Sequence, residues 1–281
     1  MAKKKIKIIT DSVCDVPPDL LEKWQIDVVP CYVNYGGESY ADDGQELDRT
    51  KFYQAVSSMK DFPSTAAPPP AVAEDIISRA IEGYDYLISI NVAESLSGTY
   101  NNVRIAANNV APDRITVIDS ETVSMGIGWQ AIVAAEVAAE TGDVEVVKKA
   151  VEGTKNKHRL YAIIYTMEFL RRSGRVSSVV AGIGSILQIK PIVTVQEKGN
   201  VEAVHRVRTF SKARRKLKEL LDAEGTLDRL AIIHTQNEEG ARDFREEHRA
   251  VMPENTIITE VGPTLGTHIG LNSLGFVSIR K

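Results

Sequence analysis

The residues with chemistry to offer are hydroxyls, short-chain carboxylates and one histidine, and they gather at the ends of apolar runs. Ile8-Ile9 leads into Thr10-Asp11-Ser12, and Ile88–Ile90 into Asn91 and then Ser95-Leu96-Ser97-Gly98-Thr99. Val117-Ile118 leads into Asp119-Ser120, and Phe62-Pro63 precedes Ser64-Thr65. Near the end of the chain, residues 262–270 read GPTLGTHIG, with His268 among Gly262, Gly266 and Gly270. Hydroxyls and free amides at helix starts suit an anion, because the first N–H groups of a helix lack partners and the dipole is positive there. Taken singly, each hydroxyl is more simply an N-cap, and a lone histidine more simply a structural residue. The glycines shift the balance for His268, since they allow positive φ and close backbone approach.

Other chemistries fit poorly. Asp11 and Asp15 are spaced DxxxD rather than DxD, and Asp15 before Val16-Pro17-Pro18 reads as a helix N-cap. Gly182-Ile183-Gly184 lacks the third glycine of a dinucleotide fingerprint, and neither a GxxxxGK[ST] loop nor a GxSxG elbow occurs. Cys14 and Cys31 have neither CxxC spacing nor a histidine pair nearby, so they read as reduced structural thiols, with no metal site and no cofactor. Basic residues cluster at Arg171-Arg172-Ser173-Gly174-Arg175, His205-Arg206-Val207-Arg208 and Lys212–Lys218. Alternation puts Arg206 and Arg208 on one face of a strand, where a guanidinium could reach an anion, while the helical cluster reads as a solvated face or a docking surface.

The elements that must position these groups follow from the periodicity. Ile6–Thr10, Tyr86–Ile90 and Ile115–Ile118 are short apolar strands. They alternate with helices over Pro17–Trp24, Lys51–Met59, Ala71–Ile81, Tyr100–Val110 and Gly128–Glu140. That pattern implies an α/β domain with a mainly parallel sheet and helices on both faces. Its turns all lie beyond the carboxyl ends of the strands, where such sheets bind ligands. Asp27–Tyr35 before Gly36-Gly37 is an excursion ending in a hairpin.

After a helix over Asp143–Asn156 the pattern changes. Strands over Leu160–Thr166, Gln188–Gln196, Val201–Arg208, Leu230–His234, Thr256–Val261 and Gly275–Ile279, with helices over Ser211–Leu221 and Glu238–Val251, imply an α+β domain with a mixed or antiparallel sheet. The division is therefore residues 1–156 and 157–281, each with its own core, in keeping with a length of 281 residues.

A hydrophobic content of 43% and a net charge of −4 describe an ordinary soluble chain and argue against a nucleic-acid partner. The N-terminal lysines lack the apolar core of a signal peptide, so the reading is cytoplasmic. The longest uncharged run, Val176–Ile189, is too short for a membrane span, which needs about 20 residues. A transient contact with a membrane surface remains compatible.

Seven blocks, in order, resemble the DegV family of bacterial fatty-acid-binding proteins. They are Ile9-Thr10-Asp11-Ser12, Pro63-Ser64-Thr65, Ser97-Gly98-Thr99-Tyr100, Asp119-Ser120, Leu170–Val176, Ile189-Lys190-Pro191-Ile192 and Gly262-Pro263 through His268. The resemblance implies a two-domain protein that holds one long-chain fatty acid at the domain boundary and is not itself an enzyme. It further implies a role as the lipid-binding subunit of a fatty acid kinase, whose separate ATP-binding subunit makes the acyl phosphate that feeds phospholipid synthesis. By the same resemblance Thr65, Ser97 and His268 hold the carboxylate, with Ser64, Gly98, Thr99, Gly266 and Thr267 in the same blocks. Arg208 offsets the charge of carboxylate or phosphate, and Arg172 and Arg175 lie toward the kinase.

The chain departs from the family pattern at Ala66-Ala67, where Ser-Gln is frequent, and at Leu271-Asn272, where Pro-Gly is usual. It also has Arg171-Arg172-Ser173-Gly174-Arg175 in place of a more common Lys-Gly-Gly-Arg. These changes bear on the head-group geometry, on the pocket near Leu271 and on docking. Two further readings compete: an acyl-ester hydrolase using Ser97 or Thr65 with His268 as base, and a regulatory protein that binds no lipid.

Overall fold

The computed structural model describes residues 3–56, 58–59, 62–174 and 189–281. Arg175 and residues 176–188 of the uncharged run lie outside the described residues, as do Gly182, Gly184 and Gln188.

The first sheet is parallel, in the order β2 (Asp27–Val29), β1 (Ile6–Asp11), β6 (Tyr86–Asn91), β7 (Ile115–Asp119). Strict alternation divides its side chains. Ile9, Val29, Leu87 and Ile115 pack on α3 (Pro70–Ala80) and α4 (Thr99–Val110), whereas Ile6, Ile8, Ile88 and Ile90 face α5 (Met125–Thr141). A small antiparallel sheet holds β3 (Tyr32–Tyr35) between β4 (Glu38–Ala41) and β5 (Ser64–Ala66). The turn joining β3 to β4 needs Gly36 and Gly37, both at positive φ (63° and 84°). The stretch 27–35 is thus split, with Asp27–Val29 joining the main sheet and only Tyr32–Tyr35 forming the hairpin.

The second sheet is mixed, in the order β10 (Val201–Val207), β9 (Lys190–Val195), β8 (His158–Ile163), β13 (Leu274–Arg280), β11 (Leu227–His234), β12 (Ile257–Glu260). Only the β11–β12 pair is parallel. Its outer face (Ile163, Ile192, Leu230, Ile232, Phe276) packs on α8 (Phe210–Asp222) and α9 (Glu238–Glu247). Its inner face (Leu160, Ala162, Val193, Val195, Ile233, Val277) turns to the first sheet.

Helix α5 lies between the two sheets, which is why its sequence is apolar nearly all round. Its Trp129 Nε1 donates to the Val277 carbonyl at 3.2 Å, and Glu136 accepts from both guanidinium nitrogens of Arg229 at 3.0 and 2.6 Å. Beside it runs α6 (Val144–Lys157), capped by Asp143, whose carboxylate accepts from the amides of Glu145 and Val146. The largest apolar cluster therefore runs from Ile6 and Ile88 through α5 to Leu160 and Val277, joining the two halves of the chain.

Three short elements lie outside the strands and helices expected from periodicity. Ser64–Ala66 is β5, Glu168–Arg172 is α7, and Pro263–Ile269 is α10, two turns of helix around His268. Glycines at 262 and 266 and a proline disguise the last of these.

Gly275 shows how closely β13 and β8 approach. A Cβ there would lie 2.5 Å from the Tyr161 carbonyl oxygen and 2.9 Å from Ala162 Cα. Gly275→Ala is expected to cost about 1–3 kcal/mol by overpacking, read as a lower urea midpoint at unchanged m-value; an unchanged midpoint would contradict this packing.

Candidate functional site

A cavity of about 190 Å3 opens where the carboxyl ends of the first sheet meet the inner face of the second. Every strand of the first sheet supplies a following loop to it: Val13 after β1, Cys31 after β2, Val92 through Gly98 after β6, and Val123 and Ser124 after β7. The ligand edge expected for an open parallel sheet is thus where the cavity lies. The opposite wall is made by alternate residues of β8 (Leu160, Ala162 and then Ile164), with Val193 and Val195 of β9 and Ile233 of β11. Tyr161 and Ile163, the intervening residues, pack on the outer layer. Period-two alternation therefore coats one side of the cavity with hydrocarbon.

Polar groups concentrate at one end. Thr65 Oγ1 and His268 Nε2 are 2.9 Å apart, although 203 residues separate them in sequence. Ser97, Gly98 and Thr264 line the same cavity, and Gly98 approaches Ala67 beside Thr65. Because residues 263–269 are helical, Thr264 and His268 share a face at i, i+4, together with Leu265 and Ile269. Thr264 is a lining residue that the local sequence does not reveal.

The other candidate residues fall elsewhere. Ser64 is exposed and lies outside the cavity lining. Neither hydroxyl opens a helix, since α3 starts at Pro70 after Pro69 without a side-chain cap. Thr99 is fully buried behind the wall, its hydroxyl 2.8 Å from Ser97 Oγ and 3.5 Å from Cys31 Sγ, where it orients Ser97. Thr267 is turned inward to the Pro263 carbonyl.

Gly266 faces Tyr53, not the cavity. A Cβ there would meet the Tyr53 hydroxyl at 2.0 Å, so the glycine makes room for that ring. Of the three glycines, Gly270 alone has positive φ (76°). Arg208 is exposed just past β10 and outside the cavity lining, at the end of the sheet where β9 begins and Ile164 lies. Arg172 is also exposed, stacked 4.2 Å from the Phe62 ring centroid and 3.5 Å from Glu168. Leu271 does not line the cavity; it packs on the apolar cluster that contains Phe52 and Phe169.

What holds α10 in place was not visible in the sequence. Asp15 Oδ1 accepts from the Gly262 amide at 2.8 Å, its Oδ2 accepts from Ser124 Oγ at 2.5 Å, and its carbonyl accepts from Thr259 Oγ1 at 2.9 Å. Asp42 Oδ2 accepts from both the amide and the hydroxyl of Thr264, at 3.0 and 2.7 Å. Tyr53 donates to the Val261 carbonyl at 2.6 Å. Asp15 is therefore not the N-cap of the first helix: it has φ 53°, and α1 (Pro18–Lys23) starts after Pro17. Asp11 joins the loops after β1 and β6, accepting from the Val13 and Val92 amides and from Asn91. These carboxylates serve the framework and do not line the cavity.

Burial, the largest cause, raises Asp11 to about 6 and Asp15 to about 7 against their hydrogen bonds. It also raises Asp42 and pushes the Cys31 thiol far up, so Cys31, although in the cavity wall, is a poor nucleophile. Both cysteines are free and buried. Among the described residues no cluster of His, Cys, Asp or Glu could hold a metal, and no helix is long and apolar enough to cross a membrane.

A family model described as "Uncharacterised protein, DegV family" matches residues 5–281. The chain belongs to the DegV family. Protein DegV of Bacillus subtilis is 32% identical over 275 residues, covering 96% of this chain and 97% of that one. Its crystal structure, described as that of a fatty acid binding protein, matches with a TM-score of 0.89 over 99% of this chain and 100% of that chain. A DegV family protein from Thermus thermophilus, described for its fatty acid binding, matches with a TM-score of 0.89 at 30% identity, covering 99% and 100% of the two chains. The fold inferred from the sequence blocks, a parallel α/β half and a mixed-sheet half, is the DegV fold.

The raised Asp15 value gives a signed expectation. The native state holds this proton more tightly than the unfolded chain, whose carboxyls titrate near 4. Its contribution is therefore complete below about pH 4 and lost as pH rises through about 7. Asp15→Asn keeps an acceptor for Gly262 and a donor for Ser124 Oγ without the charge. Between pH 4 and 8 its stability should move upward relative to the parent by a few kcal/mol, on the order expected for such a shift. Urea denaturation at a series of pH values measures the difference, and a pH-independent difference would refute the assignment.

Proposed function

We propose that the chain binds one long-chain fatty acid between its two halves (residues 1–156 and 157–281), tail along β8 and β9, carboxylate at Thr65, Ser97 and His268. The observation that carries this reading is the cavity itself: an aliphatic wall from the second sheet faces the loops that follow the first, with the Thr65–His268 pair in the lining. A carboxylate among apolar walls is costly unless hydrogen-bonded, and hydroxyls with an imidazole supply those bonds. Each buried methylene adds about 0.8 kcal/mol, so a long tail binds without a charged clamp. The fatty acid binding described for the Bacillus subtilis and Thermus thermophilus relatives supports the same ligand.

In this reading the protein is a cytoplasmic carrier, with no cofactor of its own, that presents the carboxylate to a separate ATP-binding kinase subunit. The acyl phosphate formed there feeds phospholipid synthesis. Exposed Arg172 and Arg208, outside the cavity lining, are suited to meet the partner or the phosphate; Arg175, which the resemblance pairs with Arg172, lies outside the described residues.

One contact favours the hydrolase alternative, since a hydroxyl on an imidazole is also how a nucleophile meets its base. Against it, Ser97 is bonded to Thr99, and Thr65 is a secondary hydroxyl within a strand.

The test is to denature the purified protein, extract it into organic solvent and analyse the extract by mass spectrometry. A near-stoichiometric fatty acid between myristate and stearate is expected. An extract that stays clean after incubation with mixed fatty acids would sink the proposal. His268→Ala and Thr65→Ala should each weaken binding about 10- to 150-fold, the loss of a hydrogen bond to a charged group. Under the hydrolase alternative they would instead abolish turnover of an acyl ester.

A further inference from the structure

The cavity has a second end. Its polar end is marked by Thr65 and His268; the helix that carries His268 ends at Gly270 against the Phe169 ring of α7, the element that follows β8, so this end lies toward the close of β8. Antiparallel pairing places Leu160, at the start of β8, beside Val195 and Val201, which are paired with each other. Val195 and Val201 are also the last residues before and the first after the β9–β10 turn, residues 196–200.

That turn is pressed onto the first half of the chain. A Cβ on Gly199 would lie 2.4 Å from Ser95 Oγ and 2.5 Å from Ala93 Cβ, so only glycine fits. The Lys198 amide donates to Glu121 Oε2 at 2.7 Å, and Glu121 Oε1 pairs with Lys155 at 3.0 Å. Lys198 and Glu121 both adopt positive φ (59° and 56°), an uncommon conformation for side-chain-bearing residues. The loop from Val92 to Gly98, which lines the cavity at Val92, Leu96, Ser97 and Gly98, thus meets Ala67 at Gly98 and the turn at Ala93 and Ser95.

Resting on the fatty-acid reading above, we propose that the β9–β10 turn is the stop that sets the longest acyl chain the cavity accepts, and that Glu121 holds it shut. Glu121 is then a specificity-determining residue that touches no part of the ligand. Lengthening the ligand improves binding until the tail meets the turn, after which each further methylene must dislodge it.

The experiment titrates the delipidated full chain with saturated fatty acids from decanoate to docosanoate, for the parent, Glu121→Ala and Val201→Phe. For the parent, affinity should rise about fourfold per methylene up to a ceiling. Glu121→Ala should leave the shorter acids unchanged and continue the rise beyond that ceiling, by about fourfold for each added methylene. Val201→Phe, which fills the space before the turn, should bring the ceiling to shorter chains and serves if Glu121→Ala fails to fold. An identical ceiling in the parent and in every folded variant would overturn the stop while leaving fatty acid binding intact. A parent that binds none of the acids would overturn both.

Discussion

Two buried carboxylates from the first half of the chain hold the helix that carries the histidine, and the site depends on that attachment. Asp15 and Asp42 take the amides at the start of α10, and the Tyr53 hydroxyl takes the carbonyl just before it. Burying acids is expensive unless their oxygens are satisfied. Here Gly262, Thr264 and Ser124 satisfy most of them, and partial protonation of Asp15 reduces the remaining cost. The result is a fixed distance between Thr65 and His268, which no local segment could set, since the two residues sit on opposite halves of the chain. Gly266 belongs to the same device, as the place where the Tyr53 ring fits against the helix.

The binding space follows from the stacking of layers. Helix α5 separates the sheets along most of their length, and the cavity occupies the region beyond the carboxyl ends of the first sheet. One wall is therefore made of loops, rich in hydroxyls and amides, and the other of alternating aliphatic residues from a strand face. An amphiphile with a small polar head and a long tail matches that division. A cavity shared by both halves also ties ligand binding to the stability of their contact, because Leu160, Val193 and Ile233 belong to the joint core as well as to the wall.

The regular elements were legible because their periodicity is strong. Ile6–Thr10 and Tyr86–Ile90 are buried on both faces and read as apolar runs, and the long helices show their boundaries through caps such as Asp143. The short elements were not. Residues 263–269 carry a proline and an internal glycine, poor helix formers on local grounds, and tertiary contacts to Asp15, Asp42 and Tyr53 override that preference. Ser64 and Thr65 are equivalent in sequence, yet only Thr65 lines the cavity, because its contact with His268 comes from the far end of the chain.

By itself the sequence determined the layered α/β class, the sheet edge at which polar groups collect, and the family, since seven ordered blocks encode local backbone geometry that survives as a readable pattern. The family resemblance also pointed to Thr65, Ser97, Gly98 and His268, four residues that line one cavity. Only the tertiary structure decided which of their neighbours face the cavity, that Arg208 stands outside the lining, and that Asp15, Asp42 and Tyr53 hold the helix that carries His268. The reason is physical. Periodicity reports which face of an element is apolar, but the pairing of residues some 200 positions apart depends on how buried charges and close contacts are resolved when the layers come together.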